Sequence, residues 1–382
     1  MLDTDAAVRA RYGAAARIRE AALCCPVDYD ARLLSVIPSE VLERDYGCGD
    51  PSRWVREGDV VLDLGSGGGK ICFIAAQIAG SAGRVIGVDV NDDMLALARR
   101  AAPKVAERLG FANVEFRRGR IEDLRLDLDR VQSWLRANPV RDLDGLRALD
   151  VETERLRATE PLIADDSIDV VVSNCVLNLV RESEKAMLIR EIYRVLRRGG
   201  RIALSDIVSD EPVPAELKAD PELWSGCISG AFEEQGLLRA LEDAGFYGVS
   251  IEKREETPFA VVDGIEFRSV TVTARKGLEG PCLEANQAVI YRGPWKRVED
   301  DDGHVLVRGE RVAVCAKTYD ILTGEPYASE VIPLPPRLAI AEDQRGPFDC
   351  ARTAPRHPRE TKGAGFRDTV TPGACAPNGG CC

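Results

Sequence analysis

The segment DVVLDLGSGGGK, residues 59–70, restricts the possible folds of this chain more than any other. It reads as a short apolar strand, a glycine-rich turn and the start of the helix ICFIAAQIAG. Strand-like and helix-like segments then alternate with short connections as far as FRSVTVTARK, which ends at residue 276. This alternation predicts an α/β protein with a doubly wound, mostly parallel, Rossmann-like sheet and helices on both faces.

The remaining elements follow from the same pattern. RVIGVDV, VEFRR, SIDVVVSNC and RIALSDIV are predicted as the second to fifth strands, and VSIEKRE and FRSVTVTARK as a closing pair. The helix EKAMLIREIYRVLRRGG is predicted to end at its glycines, because glycine readily adopts the left-handed conformation that ends many helices.

The chain is predicted to have four parts and one insertion. Residues 1–55 form an N-terminal helical cap segment, 56–278 the sheet domain, 279–340 a smaller C-terminal domain, and 341–382 a flexible, Pro- and Gly-rich tail that contains cysteines. Residues 124–164 are charged, leucine-periodic and too long for an ordinary connection, so we interpret them as a helical insertion on the surface.

Composition excludes several classes of protein. No apolar run approaches the roughly 20 residues of a membrane span, and MLDTDAAVRARYG has no signal-peptide pattern. A formal net charge of −12 argues against a nucleic-acid partner. The 12 cysteines include no C-x-x-C pair, which disfavours a zinc ribbon, and we expect reduced thiols in a cytoplasmic protein. The oligomeric state stays open, with a monomer favoured.

The glycine turn marks a ligand crevice at the carboxyl ends of the strands. A dinucleotide fold requires G-x-G-x-x-G, but Lys70 replaces the third glycine and Asp63 would repel a pyrophosphate. A cationic nucleoside without phosphate fits better, which indicates S-adenosylmethionine. Asp89, at the end of the second strand, is placed to accept hydrogen bonds from two ribose hydroxyls, and Ile121 and Glu122 are placed beside an adenine.

Cys175 ends the fourth strand, where it is either a packed core thiol or a ligand. An oxygen or nitrogen acceptor would need a general base there, but the chain's 2 histidines, His304 and His357, come late. Cys48 and Cys227 lie in glycine turns of similar character. Three such thiols can hold a soft, pyramidal ion such as trivalent arsenic, which attacks with its own lone pair and carries no proton to remove.

Several short segments together resemble the arsenite S-adenosylmethionine methyltransferases. The most specific is SNCVLNL, residues 173–179, and the resemblance covers roughly residues 8–340 and the last few positions. The other segments are RYG (11–13), AALCC (21–25), YGCG (46–49), LDLGSG (62–67), SGC (225–227) and GGCC (379–382).

The resemblance implies a class I methyltransferase that methylates and so detoxifies arsenite. Cys48, Cys175 and Cys227 would bind trivalent arsenic, and Cys24 or Cys25 would relay it or form a disulfide as arsenic returns to the trivalent state. Reduced thioredoxin or glutathione would regenerate the enzyme. The full set of predicted cofactor-binding residues is Tyr12, Asp63, Gly65, Ser66, Gly67, Asp89, Val90, Met94, Ile121, Glu122 and Asn174.

The sequence also departs from the family pattern and leaves alternatives open. GGKI at 68–71 replaces the usual Ser-Gly-Arg-Asp. The acceptor is alternatively another thiophilic element (antimony, selenium or tellurium) or a small organic molecule, or the chain binds a metalloid without turnover. The remaining cysteines are interpreted as packing (Cys72), as structural or incidental (Cys282, Cys315, Cys350), and as a capturing tail or silent (Cys375, Cys381, Cys382).

Overall fold

The computed structural model of the protein describes residues 4–17, 20, 27–44, 46–278, 280–350 and 354–363. The predictions made for five cysteines lie outside these described residues, namely Cys24, Cys25, Cys375, Cys381 and Cys382. The chain divides into two units, Met1–Gly277 and Leu278–Cys382. Within the described ranges, no helix combines the length and the apolar character needed to cross a membrane.

The first unit is built on one mixed sheet. Its strands are β1 (Val60–Leu64), β2 (Arg84–Asp89), β3 (Val114–Arg118), β4 (Ile168–Asn174), β5 (Leu196–Ser209), β6 (Phe232–Glu233), β7 (Phe246–Arg254), β8 (Ala260–Val262) and β9 (Ile265–Lys276). The order is β3–β2–β1–β4–β5–β9–β7, with β6 beside β5 and β8 beside β9. Pairs among β1 to β6 are parallel, whereas β9 runs antiparallel to β5, β7 and β8. The predicted doubly wound, mostly parallel sheet is confirmed.

Helices cover both faces of this sheet. Because side chains alternate across a strand, Val61 packs against residues of α4 and α5, whereas Leu62 and Leu64 pack against residues of α8 and α11. The helices of the unit are α1 (Thr4–Ala15), α2 (Ala31–Leu34), α3 (Ser39–Leu42), α4 (Lys70–Ala79), α5 (Asp92–Leu109), α6 (Leu128–Ala137), α7 (Leu143–Thr159), α8 (Glu182–Val195), α9 (Ala215–Lys218), α10 (Pro221–Ser225) and α11 (Glu234–Asp243).

One predicted boundary is wrong, and the insertion contains two helices. Helix α8 ends at Val195 rather than at the glycines, because the fully buried Leu196 already pairs with Ile168 of β4. In the insertion, α6 and α7 form a helical pair in which Leu156 is buried, while Leu143 and Val151 remain exposed.

The described residues of the second unit form short strands and two α-helices. Strands β10 (Ala288–Tyr291), β13 (Arg311–Ala313) and β14 (Val331–Leu334) form an antiparallel sheet, and β11 (Arg297–Glu299) pairs with β12 (Val305–Val307). The helices are α12 (Ala316–Thr323) and α13 (Pro358–Lys362). The unit continues past the predicted boundary at residue 340, because backbone bridges join Leu283 to Pro347 and Val312 to Pro355.

Candidate active site

A cleft lies at the carboxyl ends of β1, β2 and β4 in the first unit. All of the residues predicted to bind a cofactor line it, although they come from widely separated parts of the sequence. These are Tyr12, Asp63, Gly65, Ser66, Gly67, Asp89, Val90, Met94, Ile121, Glu122 and Asn174, and Cys175 lines the cleft with them. The position of the crevice is the one expected for an open α/β sheet.

Asp63 lies near the end of β1 and is buried at this cleft. Its Oδ2 accepts a hydrogen bond from the Cys72 thiol at 3.1 Å. Burial, followed by the neighbouring Asp63 carboxylate, raises the pKa of Cys72 well above its usual value. The thiol therefore stays protonated, so that Cys72 orients the Asp63 carboxylate and does not act as a nucleophile.

Asp89 joins the glycine turn to the end of β2. Its Oδ2 accepts a hydrogen bond from the Gly67 backbone N–H at 2.8 Å, and its Oδ1 accepts one from the Asn91 N–H at 2.8 Å. Burial raises the pKa of Asp89, while these backbone N–H groups oppose the increase. A carboxylate has about four lone-pair positions, so acceptor capacity is left for ligand hydroxyls.

The polar groups that line the cleft fit a cationic nucleoside. Asp63 and Asp89 supply two carboxylates, and the buried hydroxyl of Ser66 has no hydrogen-bond partner among the described residues. A buried polar atom without a partner is rare in native proteins and indicates a missing ligand or water. Beyond these residues, Arg120 lines the cleft and pairs with Glu122, a contact that the sequence pattern does not indicate.

The three cysteines predicted to bind arsenic belong to one buried cluster beside this cleft. Cys48 and Cys175 are joined by a disulfide, and Cys227 is a reduced thiol whose Sγ donates to the Cys175 carbonyl at 3.2 Å. Their exposed fractions are 4%, 8% and 4% respectively, so each sulfur is largely shielded from water. Cys175 and Cys227, the two that are nearest in the sequence, are still 52 residues apart. The cluster therefore brings together three distant segments of the chain.

Two of these cysteines have a backbone conformation that is unusual for residues with a side chain. Cys175 has φ 58° and Cys227 has φ 63°, both in the left-handed region. Non-glycine residues in that region are uncommon and concentrate at functional sites, where the surrounding structure holds them. The rest of the fold therefore has to stabilise the two turns that orient the side chains of Cys175 and Cys227.

The Cys48 loop is held against the end of β4 by Asn174. The Asn174 Oδ1 accepts hydrogen bonds from the Cys48 and Gly49 backbone N–H groups at 2.9 and 3.2 Å, and the Asn174 Nδ2 donates one to the Gly49 carbonyl at 2.8 Å. Glycine is required on both sides of Cys48, because a Cβ at Gly47 would overlap the Asn174 amide and one at Gly49 would lie 2.5 Å from Ser205. Asn174 thus lines the cofactor cleft and positions a thiol.

Two further positioning residues were not identified from the sequence. Asp206, in β5, accepts hydrogen bonds from the Val176 and Leu177 backbone N–H groups at 3.1 and 2.9 Å, directly after Cys175. Burial raises the pKa of Asp206 from 3.8 to about 6. Asn178 donates to the carbonyls of Ile207 and Cys227 at 2.7 and 3.1 Å. In the sequence, Asp206 and Asn178 stand out only as polar residues within an otherwise apolar strand or turn.

Tyr12, on α1, connects the two sides of the cleft. Its hydroxyl lies 3.5 Å from the Cys227 Sγ, and its ring packs edge-on against Tyr46. Burial, reinforced by Cys227, raises the pKa of Tyr12 well above its usual value, so the hydroxyl remains protonated. Tyr12, which is predicted to bind the cofactor, therefore also contacts a candidate arsenic ligand.

This fold and cleft define a class I methyltransferase, and a family model described as "Methyltransferase domain" matches residues 56–145 and 136–245. A second model, described as a domain of unknown function (DUF8838), matches residues 278–366.

Known proteins narrow the class to one family. The arsenite methyltransferase of Aquipseudomonas alcaligenes is 34% identical over 78% of this chain and 79% of its own length. The arsenite methyltransferase of Homo sapiens is 29% identical over 78% of this chain and 73% of its own length. The crystal structure of an arsenic (III) S-adenosylmethionine methyltransferase from Chlamydomonas reinhardtii superposes with a TM-score of 0.55 at 27% identity, covering 85% of this chain and 100% of that one. The chain belongs to the arsenite methyltransferase family.

Proposed function

We propose that the protein transfers a methyl group from S-adenosylmethionine to trivalent arsenic held by Cys48, Cys175 and Cys227. The observation that carries this proposal is the convergence of the three thiols at the edge of the cleft that gathers the predicted cofactor residues. Cys175 belongs to both the thiol cluster and the cleft wall. An acceptor held there would therefore face the bound cofactor.

The residues of the cleft wall would hold the cofactor from three sides. Asp63 would face its cationic groups, Asp89 would accept hydrogen bonds from the ribose hydroxyls, and Ile121 and Glu122 would flank the adenine. When bound, S-adenosylmethionine supplies an electrophilic methyl group on a positively charged sulfur. The protein's contribution is alignment, since effective molarities of well-oriented groups account for about 7–11 kcal/mol of a barrier.

Arsenic would bind by exchange of ligands. Arsenous acid has three As–OH groups, and reaction with three Cys–SH groups forms three As–S bonds and releases three water molecules without any redox change. The disulfide between Cys48 and Cys175 must first be reduced, because it withholds two of the three ligands. This requirement supports the proposal that a dithiol or thiol donor, thioredoxin or glutathione, serves as co-substrate.

Methyl transfer would then need no general base. Arsenic held by the three cysteines would supply the lone pair and S-adenosylmethionine the methyl group, so no residue of this chain would have to accept a proton. The chain's 2 histidines, at positions 304 and 357, both belong to the second unit. Accepting the methyl group would raise arsenic to the pentavalent state, and its return to the trivalent state would take two electrons from two cysteine thiols, which release two protons and become a disulfide. We assign Cys24 or Cys25 as one of these two thiols.

The same chemistry favours the cytoplasm as the place where the protein works. The proposed cycle needs Cys48, Cys175 and Cys227 as thiols, and structural disulfides are rare in the cytosol because glutathione and thioredoxin keep thiols reduced. The small-molecule substrate and the thiol donor are the partners that this cycle requires.

The test is incubation of the reduced protein with S-adenosylmethionine, arsenite and a thiol reductant, followed by separation of the arsenic species. The wild-type protein should form methylated arsenicals. In Cys175→Ser the rate should fall by about a hundredfold or more, because the arsenic would lose the ligand that aligns it with the methyl group. Cofactor affinity, measured by calorimetry, should be unchanged.

The matched control is Ser133→Ala, which changes an exposed side chain of α6 and should keep the wild-type rate. Undiminished methylation by Cys175→Ser would refute the three-thiol site. Absence of methylated arsenic from the wild-type protein, with arsenite still bound, would instead show a binding protein without turnover.

A further inference from the structure

The second unit contains a separate group of thiols. The Sγ atoms of Cys282, Cys315 and Cys350 all lie within 4.8 Å of one another, although the residues are far apart in the sequence. None of the three is in a disulfide. The sequence predicts them to be structural or incidental, and nothing in their spacing indicates that they meet.

Backbone contacts hold the three segments together independently of the sulfurs. The Phe348 N–H donates to the Cys282 carbonyl, and the Ala316 N–H donates to the Leu283 carbonyl, each at 2.8 Å. An antiparallel bridge between Leu283 and Pro347 adds to these contacts. The fold of this unit therefore brings the thiols together before any ligand arrives, which lowers the cost of ordering them on binding.

The three thiols differ in a way that suits ligand capture. Cys315 is fully buried at the N-cap of α12, where its Sγ accepts a hydrogen bond from the Thr318 N–H at 3.3 Å and lies 3.2 Å from the Thr318 hydroxyl. Such donors stabilise a thiolate. Cys282 and Cys350 are only half-buried, so an ion from solvent can reach the group.

The number of ligands selects the ion. Among the described residues, no histidine or carboxylate joins the three sulfurs within the same distance. Structural zinc almost always takes four protein ligands, whereas trivalent arsenic forms three bonds to sulfur and keeps its lone pair. We propose that Cys282, Cys315 and Cys350 form a second site for trivalent arsenic, separate from the cluster at Cys175; the choice of ion rests on the proposed function.

Binding there is a ligand exchange without electron transfer. Three As–O bonds of arsenous acid break, three As–S bonds form, and the three thiol protons leave with the hydroxides as water. The site would retain arsenite on the chain.

The test uses the full-length chain with every other candidate arsenic ligand removed. In this background, Cys24, Cys25, Cys48, Cys175, Cys227, Cys375, Cys381 and Cys382 are serine, leaving Cys72 and the three thiols. Equilibrium dialysis with arsenite should give one arsenic per chain, and X-ray absorption should show three sulfur neighbours. Adding Cys350→Ser should weaken binding by at least about tenfold, because one As–S bond is lost.

Two controls separate binding from folding. Cys72→Ser in the same background removes a buried thiol outside the group and should leave arsenic binding unchanged. Thermal melting, followed by circular dichroism, should show that Cys350→Ser folds, since the side chain is half-buried. Cys315→Ser is the second variant and should also abolish three-sulfur coordination.

Three outcomes would overturn the inference: no arsenic bound by the background protein, equal binding after Cys350→Ser, or zinc bound at the group and not displaced by arsenite. Methylation is measured separately on the wild-type chain. Methylated products from wild type, together with no binding by the background protein, would refute only the second site. Binding without methylation would refute only the proposed function.

Discussion

On the cofactor side of the cleft, most functional side chains come from the ends of β1 and β2 and from the loops that follow β1, β2 and β3. On the thiol side they come from the Cys48 loop, the end of β4 and the loop after α10, which are joined by buried amides and a carboxylate. Asp63 and Asp89 are positioned by the strands to which they belong. Cys48, Cys175 and Cys227 are positioned by hydrogen bonds between segments that are distant in the sequence.

This difference predicts that the two sides can be damaged separately. Changes at the ends of β1 and β2 should weaken cofactor binding and leave arsenite binding intact. Changes at Asn178 or Asp206 should do the opposite, because these residues hold the turns that carry Cys175 and Cys227.

The largest expected effect is the pH dependence that Asp206 introduces. Burial raises its pKa from 3.8 to about 6, so the folded state holds an extra proton between these pH values. Relative to Asp206→Asn, the wild-type protein should therefore lose stability as the pH rises from about 4 to about 6, and no more above that. The loss should be about 3 kcal/mol, at about 1.36 kcal/mol per pH unit.

Urea unfolding of both proteins across this pH range measures the difference. Asp210→Asn is the control, since Asp210 is an exposed carboxyl just beyond the end of β5. A constant difference between wild type and Asp206→Asn at every pH would contradict the prediction.

The next effect is on cofactor affinity. Asp89→Ala should weaken S-adenosylmethionine binding by about thirtyfold, or about 2 kcal/mol, because charge-assisted hydrogen bonds to the ribose are lost. Arsenite binding should not change. Calorimetric titration measures both affinities, with the exposed Asp144→Asn as control. Equal weakening of both ligands would show that the two sides are coupled.

The smallest of these effects comes from Asn178. Asn178→Ala leaves the Ile207 and Cys227 carbonyls without this donor, which should lower the free energy of unfolding by about 1.5 kcal/mol. It should also weaken arsenite binding without affecting the cofactor. The control is Asn113→Ala, which likewise removes an amide that donates to two carbonyls, those of Ala76 and Gly80, away from the thiols. Arsenite affinity that falls equally in both variants would mean that stability alone is responsible.

Much of the cofactor side could be predicted from the sequence. The strand–glycine turn–helix pattern and the order of Asp63, Asp89 and Glu122 along the chain are local signals, and the parallel sheet places successive strand ends on one edge. The end of α8 was mispredicted because burial and pairing of Leu196 outweighed the local preference of the glycines.

The sequence by itself predicted the class of sheet, the crevice and the candidate thiols, because periodicity and turn residues act over short distances. Only the tertiary structure decided how those thiols are held. Asp206, Asn178 and the meeting of Cys282, Cys315 and Cys350 depend on contacts between distant segments. The physical reason is that the role of a buried polar group depends on its hydrogen-bond partner. That partner lies far away in the sequence, and no local pattern indicates it.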